Sequence, residues 1–339
     1  MKILFIGPRT NIKDPSKTGG VIVLFEDLLH QCKKRDIDFV VIDTNKANYP
    51  NIFLALLSIY IRTFLLSFRV SHVSLHGTAK DYMFIAPLVV FLTKVLNKQS
   101  SLRKFAGNFA EIYESSSRTK KKLIEFALKN SDYNFFETKY LVGYFSALNQ
   151  NTCWFPNVRE KRGARNQSKF GKKFVFISQL YKTKGVNEIL EASSFLPDGY
   201  TIDIYGPLKD DYADDSFRDF RANYQGSLKA DDVLKTLNKY DVLILPTYYP
   251  GEGYPGIVIE ALSLGKPVIV TDLPSIQEMV DERCAIFVKP KSVEDIVNAI
   301  MKFNSDNYAS YSMNALKAFE QFDSDVQTEI FFQNMGLKC

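Results

Sequence analysis

The sequence predicts an α/β protein built from two doubly wound, Rossmann-like domains. Three observations carry that expectation. The chain has 339 residues, too many for one small domain and comfortable for two. Short apolar runs ending at Gly or Pro alternate with longer helical patterns, in two successive series. A polar, basic stretch, Asn157–Lys173, divides the two series.

In the first series "KILFIG", "FVVID", "HVSLHG" and "YNFFET" read as strands; in the second, "KFVFIS", "TIDIYGP", "DVLILP" and "KPVIVTD" do. Near-continuous Val, Ile, Leu and Phe with helices between them signal parallel sheets covered on both faces. The expected boundaries are a first domain over 1–157, a linker over 158–173, a second domain over 174–310, and C-terminal helices over 311–339. In open parallel sheets ligands bind beyond the carboxyl ends of the strands, so chemistry is sought there, in a cleft between two facing domains.

Composition narrows the function classes. A 46% apolar and 24% charged chain is ordinary for a globular protein. Four scattered cysteines, Cys32, Cys153, Cys284 and Cys339, show no metal-ligand spacing and suggest reduced thiols in a cytoplasmic protein. "MKILFIGP" reads as a first buried strand and not as a signal peptide. The net charge of +5 is uneven. Residues 1–160 hold 22 Lys and Arg against 13 Asp and Glu, a balance of +9, leaving −4 for the rest. With "RTKKK" at Arg118–Lys122, that half suits either a solvated helix face or docking to an anionic membrane. Nucleic-acid binding has charge behind it but no motif.

Two apolar stretches, Ile52–Phe68 and Tyr82–Leu96, fall short of the roughly 18–20 uninterrupted apolar residues of a spanning helix. Arg62 and Pro87 interrupt them. They read first as core helices and second as helices in a membrane interface.

The most informative stretch is "PGEGYPGIVIEALSLGKP", Pro250–Pro267. A helix is expected from about Gly256 to Leu264, stopped by Gly265 and Pro267. The preceding glycines let first-turn N–H groups approach a ligand, and the helix dipole there favours an anion. The GxxxxGK[ST] pattern of a P-loop is lacking. Helix side chains lean toward the N-terminus, so Glu260 reaches back toward this anion pocket, while Glu252 sits on the glycine loop itself. Carboxylates accept hydrogen bonds from sugar hydroxyls, and two of them flanking an anion pocket suit a ribose, a diphosphate and a sugar bound in a row. The alternative is a solvent-facing Glu260 and an ordinary loop charge at Glu252. His72 and His76 lie four apart on a strand without a third ligand, so no metal site is expected; His76, at the strand's carboxyl end, is placed either to touch substrate or to serve structure.

Glu252-x7-Glu260 in this setting resembles the signature of retaining GT-B glycosyltransferases of family 4. The similarity runs along nearly the whole chain: Gly19-Gly20 opening the first helix, "WFPNV" before the second domain, "FVFISQLYKTKGVNEILEA", and "YQGSLKADDVLKTLNKYDVLILPT". The resemblance implies that Glu260 binds ribose hydroxyls of a nucleoside-diphosphate sugar and that Glu252 contacts the transferred sugar. Lys184 would neutralise the diphosphate, and backbone amides of Gly256 and Ile257 would meet diphosphate or sugar. Gly19, Gly20, Gln179, Tyr224, Gly253, Tyr254 and Pro255 complete the implied donor-side set, with Glu252, Lys184 and His76 as the catalytic one. The pattern departs from the family at Gln179, where an arginine is common, with Lys182 as a substitute cation, and at Lys104 and Asn108, where a histidine is common.

The implied function is transfer, with retention, from the nucleotide sugar to an acceptor hydroxyl, with no cofactor or metal. The implied acceptor is a saccharide or lipid-linked saccharide in bacterial surface polysaccharide assembly, at the inner face of the cytoplasmic membrane. A nucleotide-sugar epimerase, a phosphorylase-like enzyme and a non-catalytic nucleotide-sugar-binding module remain as alternatives on the same fold. A Rossmann dehydrogenase fits poorly, because "FIGPRTNIKDPSKTGG" does not spell GxGxxG.

Overall fold

A computed structural model describes residues 2–14, 19–161, 169–209 and 212–337. Cys339 and residues 162–168 of the expected linker lie outside these residues. The chain divides into two units, residues 1–158 with 324–339, and residues 159–323.

The first unit holds a six-stranded parallel sheet of β1 (Lys2–Gly7), β2 (Asp38–Asp43), β3 (His72–Gly77), β4 (Gln99–Lys104), β5 (Tyr133–Phe136) and β6 (Thr152–Trp154). Its order is β2-β1-β3-β4-β5-β6. Side chains alternate across the pleat. Leu4, Ile6, Val73, Leu75 and Leu102 pack on one face. Ile3 and Phe5 pack on the other, with Phe25, Phe105 and Phe135. Phe331 and Phe332, from the helix Ser324–Asn334, and Met335 just after it complete this second face. Only residues from Ser324 onward rejoin the first unit. The expected boundary at 311 therefore moves: the helix Tyr308–Phe319 belongs with the second unit and packs on the helix Gly256–Ser263.

Two further expectations change here. The strand "YNFFET" stops at Phe136, because Thr138 caps the next helix by accepting a hydrogen bond from the Leu141 amide at 3.2 Å. The helix Ile52–Ser67 is not a core helix on all sides: it buries only Ala55, Ile59, Thr63 and Ser67. The second apolar stretch forms two helices, Ala79–Phe84 and Ala86–Val95, with Pro87 in the first turn of the latter. Among the described residues no helix is long and apolar enough to cross a membrane.

The second unit holds β7 (Lys173–Ile177), β8 (Thr201–Tyr205), β9 (Asn223–Tyr224), β10 (Val242–Leu245), β11 (Val268–Thr271) and β12 (Ala285–Val288), all parallel, in the order β12-β11-β10-β7-β8-β9. β7 and β10 are adjacent at its centre. The loops leaving their carboxyl ends therefore emerge side by side, where the strand order reverses.

Candidate active site

Two loops of the second unit build the site. After β7 the chain passes Ser178-Gln179 and a single helical turn, Lys182–Lys184, to Gly185. Gly185 has φ +80°, and a Cβ there would stand 2.5 Å from the Pro246 carbonyl oxygen. Only glycine fits that close approach without strain. It lets the Lys184 turn press against the loop after β10, where the Tyr248 amide donates to Thr183 O at 2.8 Å.

That second loop is tightly pinned. A turn over Tyr249–Glu252 closes with the Glu252 amide donating to Tyr249 O at 3.1 Å. Ser275 Oγ donates to Glu252 O at 3.1 Å. Tyr254 is buried, its hydroxyl bonded to Glu278 Oε2 at 2.6 Å and its ring edge-on to Phe322. The Tyr254 side chain thus anchors the loop. Pro255 caps the helix Gly256–Ser263 with no side-chain hydrogen bond. The first-turn amides of Gly256 and Ile257 are therefore left without a capping side chain, the arrangement that suits an anion.

Four charges meet around this helix start. Lys184 Nζ is ion-paired with Glu252 Oε2 and lies 5.0 Å from the centre of the Tyr249 ring. Buried Thr247 donates to the same Glu252 oxygen at 2.7 Å. Arg159 Nε donates to Glu260 Oε1 at 2.7 Å. The Arg159 guanidinium also lies over Gly256, where any Cβ would collide with its Nη2. The side chains of these two pairs are 11–18% exposed. Such pairs are partly desolvated yet within reach of a ligand. Each couples one cation, suited to a phosphate, with one carboxylate, suited to a hydroxyl.

Arg159 was missed at the sequence level. It falls inside the polar stretch expected to be a linker, yet its amide donates to Phe322 O at 3.0 Å and its backbone bridges Asp323. A basic residue directly after "WFPNV" was the available signal.

The other expected site residues occupy these loops, an edge strand and a helix start of the first unit. Gln179 is exposed at the end of β7. Tyr224 stands on the edge strand β9, its hydroxyl donating to Gly206 O at 2.9 Å and its ring stacked on Phe217 at 4.7 Å. Gly253 and Pro255 are buried in the loop. Gly19 and Gly20 open the helix Gly20–Lys34 of the first unit, with open space where a Cβ would project.

His76 is corrected outright. It is 0% exposed, ringed by Phe5, Phe25, Phe105 and Phe331 at 5.3–6.3 Å. Burial, with the nearby Arg103 charge, holds its pKa well below the usual histidine value. A neutral imidazole sealed in the core touches no substrate. Its Nε2 shares a hydrogen bond of 2.8 Å with Ser74 Oγ, Ser101 Oγ donates to Ser74 Oγ at 2.7 Å, and His72 Nε2 meets Ser101 Oγ at 2.9 Å. This is a polar spine inside the first unit. Lys104, where the family commonly has histidine, is buried beside it, with Nζ on Phe105 O and over the Phe109 ring. Burial pulls its pKa down to about 8 against the opposing pull of Glu137 and Asp81. Among the described residues no group of three or more His, Cys, Asp or Glu is arranged to hold a metal ion.

Residues 157–318 match the family model of "Glycosyl transferases group 1". TuaC of Bacillus subtilis (strain 168), a glycosyltransferase named for teichuronic acid biosynthesis, is 30% identical over 132 residues, 39% of this chain and 33% of that one. The N,N'-diacetylbacillosaminyl-diphospho-undecaprenol alpha-1,3-N-acetylgalactosaminyltransferase of Campylobacter jejuni is 24% identical over 73% of this chain and 64% of its own. The chain thus spans between a third and two thirds of the length of these curated relatives. The crystal structure of Anabaena HepE in complex with UDP superposes with a TM-score of 0.75 at 14% identity, covering 99% of this chain and 100% of that one. HepE has also been crystallised with UDP-glucose. Two parallel six-stranded sheets flanked by helices give the chain the GT-B fold. The match to the group 1 glycosyl transferases takes in nearly all of the second unit.

Proposed function

We propose that this chain transfers a sugar from a nucleoside-diphosphate sugar to an acceptor hydroxyl, with retention of anomeric configuration. The observation that carries this reading is the pairing of Lys184 with Glu252 and of Arg159 with Glu260 around one uncapped helix start. Glu260 accepts from the ribose hydroxyls and Glu252 from hydroxyls of the transferred sugar. Lys184 and Arg159, together with the amides of Gly256 and Ile257, take the diphosphate between them. Donor binding exchanges each internal ion pair for contacts with the ligand, so the charges are already in position when the leaving group forms.

Bond cleavage leaves negative charge on the departing phosphate, and fixed cations and amides stabilise it without reorganisation. The acceptor hydroxyl passes its proton to that phosphate oxygen on the same face while its oxygen bonds the anomeric carbon, which preserves configuration. No histidine base is required. A reaction of this kind needs no metal, so excess EDTA should leave the rate unchanged.

A uridine diphosphate sugar is the first donor to test, because UDP and UDP-glucose are the ligands of the similar HepE structures. A lipid-linked saccharide acceptor in bacterial polysaccharide assembly is supported by the names of the two curated relatives. Thermal-shift screening against UDP-, GDP-, ADP- and dTDP-sugars tests donor binding, since a ligand of the native state raises apparent stability. Transfer of labelled sugar to an undecaprenyl-diphosphate-linked saccharide tests the reaction. Donor consumed equally without any acceptor refutes transfer. Wild-type turnover in a Glu252→Ala variant refutes the site.

A further inference from the structure

The helix Ile52–Ser67 is turned the unexpected way. Its inward stripe is Ala55, Ile59, Thr63 and Ser67, small or polar except for Ile59. Its outward face is Phe53, Leu57, Ile61, Phe64, Leu65 and Phe68, all exposed, with Phe53 reaching 73%. The exposed rings of Phe64 and Phe68 pack edge to face at 5.2 Å. Phe84, Phe91 and Val95 extend the same apolar surface from the neighbouring helices. Between them runs a groove of about 520 Å³ lined by Tyr60, Ile61, Phe64, Leu65, Phe84 and Leu88. A contiguous exposed surface of this kind marks an interaction site in a soluble domain, whereas isolated exposed apolar residues do not.

Along the chain between Lys46 and Gln99 the charges are mostly basic. From Lys46 to Gln99 the basic residues are Lys46, Arg62, Arg69, Lys80, Lys94 and Lys98, and the acidic residue is Asp81. Asp81 is turned inward to its own helix cap, accepting from the Thr78 amide at 2.7 Å and the Thr78 hydroxyl at 2.9 Å. The helix Arg118–Asn130, which packs on Ala86–Val95, brings exposed Arg118, Lys120 and Lys122 to the same unit.

We infer that this face docks on an anionic lipid bilayer, with Phe53, Phe64, Leu65 and Phe91 entering the acyl boundary and the basic residues resting on the headgroups. An apolar face with a basic border is what an interfacial helix requires. A second copy of the chain fits less well, because it would set one basic border against another. The inference shares with the proposed reaction only the idea of a lipid-linked acceptor. It is read by binding without donor or acceptor, so failed docking leaves the transfer reaction standing and failed transfer leaves docking standing.

The test is co-sedimentation of the full chain with vesicles of phosphatidylcholine, with and without one third phosphatidylglycerol. The chain is expected to pellet with the anionic vesicles and to bind pure phosphatidylcholine weakly. A Phe64→Ser/Leu65→Ser double variant should lose at least about tenfold in partitioning through lost apolar insertion. A Lys94→Glu/Lys98→Glu variant should lose at least about 25-fold and much of the salt dependence, at about fivefold for each of the two basic charges removed. Both variants should melt with the wild type, since the altered side chains face solvent. The inference is overturned if the wild type stays in the supernatant, or if both variants bind as it does. It is equally overturned if the apolar variant instead abolishes a concentration-dependent dimer while vesicle binding is absent.

Discussion

The two units place ionisable groups near the carboxyl ends of their central strands in opposite ways. In the first unit His76, Arg103 and Lys104 stand at the ends of β3 and β4 and are at most 1% exposed. Arg103 stacks 3.8 Å above the Phe155 ring and donates to Pro156 O at 3.0 Å. In the second unit Lys184, Arg159, Glu252 and Glu260 retain some exposure and are matched cation to carboxylate. The first arrangement spends its polar groups on the interior of the domain; the second keeps them exchangeable for a ligand. A strand-end position therefore says where chemistry is permitted, and the surrounding burial decides whether it occurs.

The contrast breaks most visibly at the exchangeable pairs. Lys184→Ala should lower turnover by roughly 10²–10³-fold, the loss expected when one fixed cation stabilising a leaving group is removed, and Glu252→Ala should lower it sharply through the hydrogen bonds lost to the transferred sugar. Melting temperature should move by only a few degrees. Steady-state kinetics with the donor found by thermal shift, together with calorimetric melts, check both halves.

The sealed groups should instead govern stability against pH. Burial lowers the His72 pKa to about 4, opposed by its bond to Gln99 and by the charge of Asp132. The unfolded chain takes up a proton on His72 below about pH 6.5 that the folded chain refuses until about pH 4. Stability should therefore fall as pH drops through that window, by about 3 kcal/mol in all. A His72→Gln variant should show a shallower fall in denaturant titrations from pH 7 to 4. Lys104 acts at the other end of the scale. Between about pH 8 and 10.5 the unfolded chain holds a proton on Lys104 that the folded chain has lost, so this lysine makes stability rise with pH across that range. Lys104→Met should flatten the rise. Turnover at neutral pH should respond to neither substitution beyond the change in folded fraction.

The smallest effect sharpens the comparison within the second unit. Gly256→Ala places a methyl group against the end of the Arg159 side chain, which is long enough to swing aside. The pair with Glu260 should loosen, and donor affinity should drop several-fold with little change in kcat or Tm. Isothermal titration with UDP measures it.

How much of this was legible in the sequence depended on what each residue type can signal locally. The glycine loop and the Glu260 helix were readable because glycine, proline and a helical apolar period have few other uses together. β4 was not, because "QSSLRK" looks like a loop until Ser100, Ser101, Arg103 and Lys104 are seen to be buried. His76 was misjudged because the Phe331 that helps cover it comes from the far end of the chain. Arg159 was hidden among other basic residues. The helix Ile52–Ser67 announced its hydrophobicity but not its facing, since leucine and phenylalanine surround most of its circumference and the inward choice fell on its smallest side chains.

The return of Ser324–Asn334 to the first unit has a consequence for biogenesis. Gln31 donates to Ser324 Oγ at 2.9 Å, and Phe331 lies against Phe135 and Phe155 at 4.6 and 4.7 Å. A ribosome delivers those aromatic residues after both sheets, although domains usually mature in the order of their synthesis. The half translated first must wait, with one side of its sheet still open, while the half translated second can already be finished. Nascent-chain protease protection would record that inverted timetable.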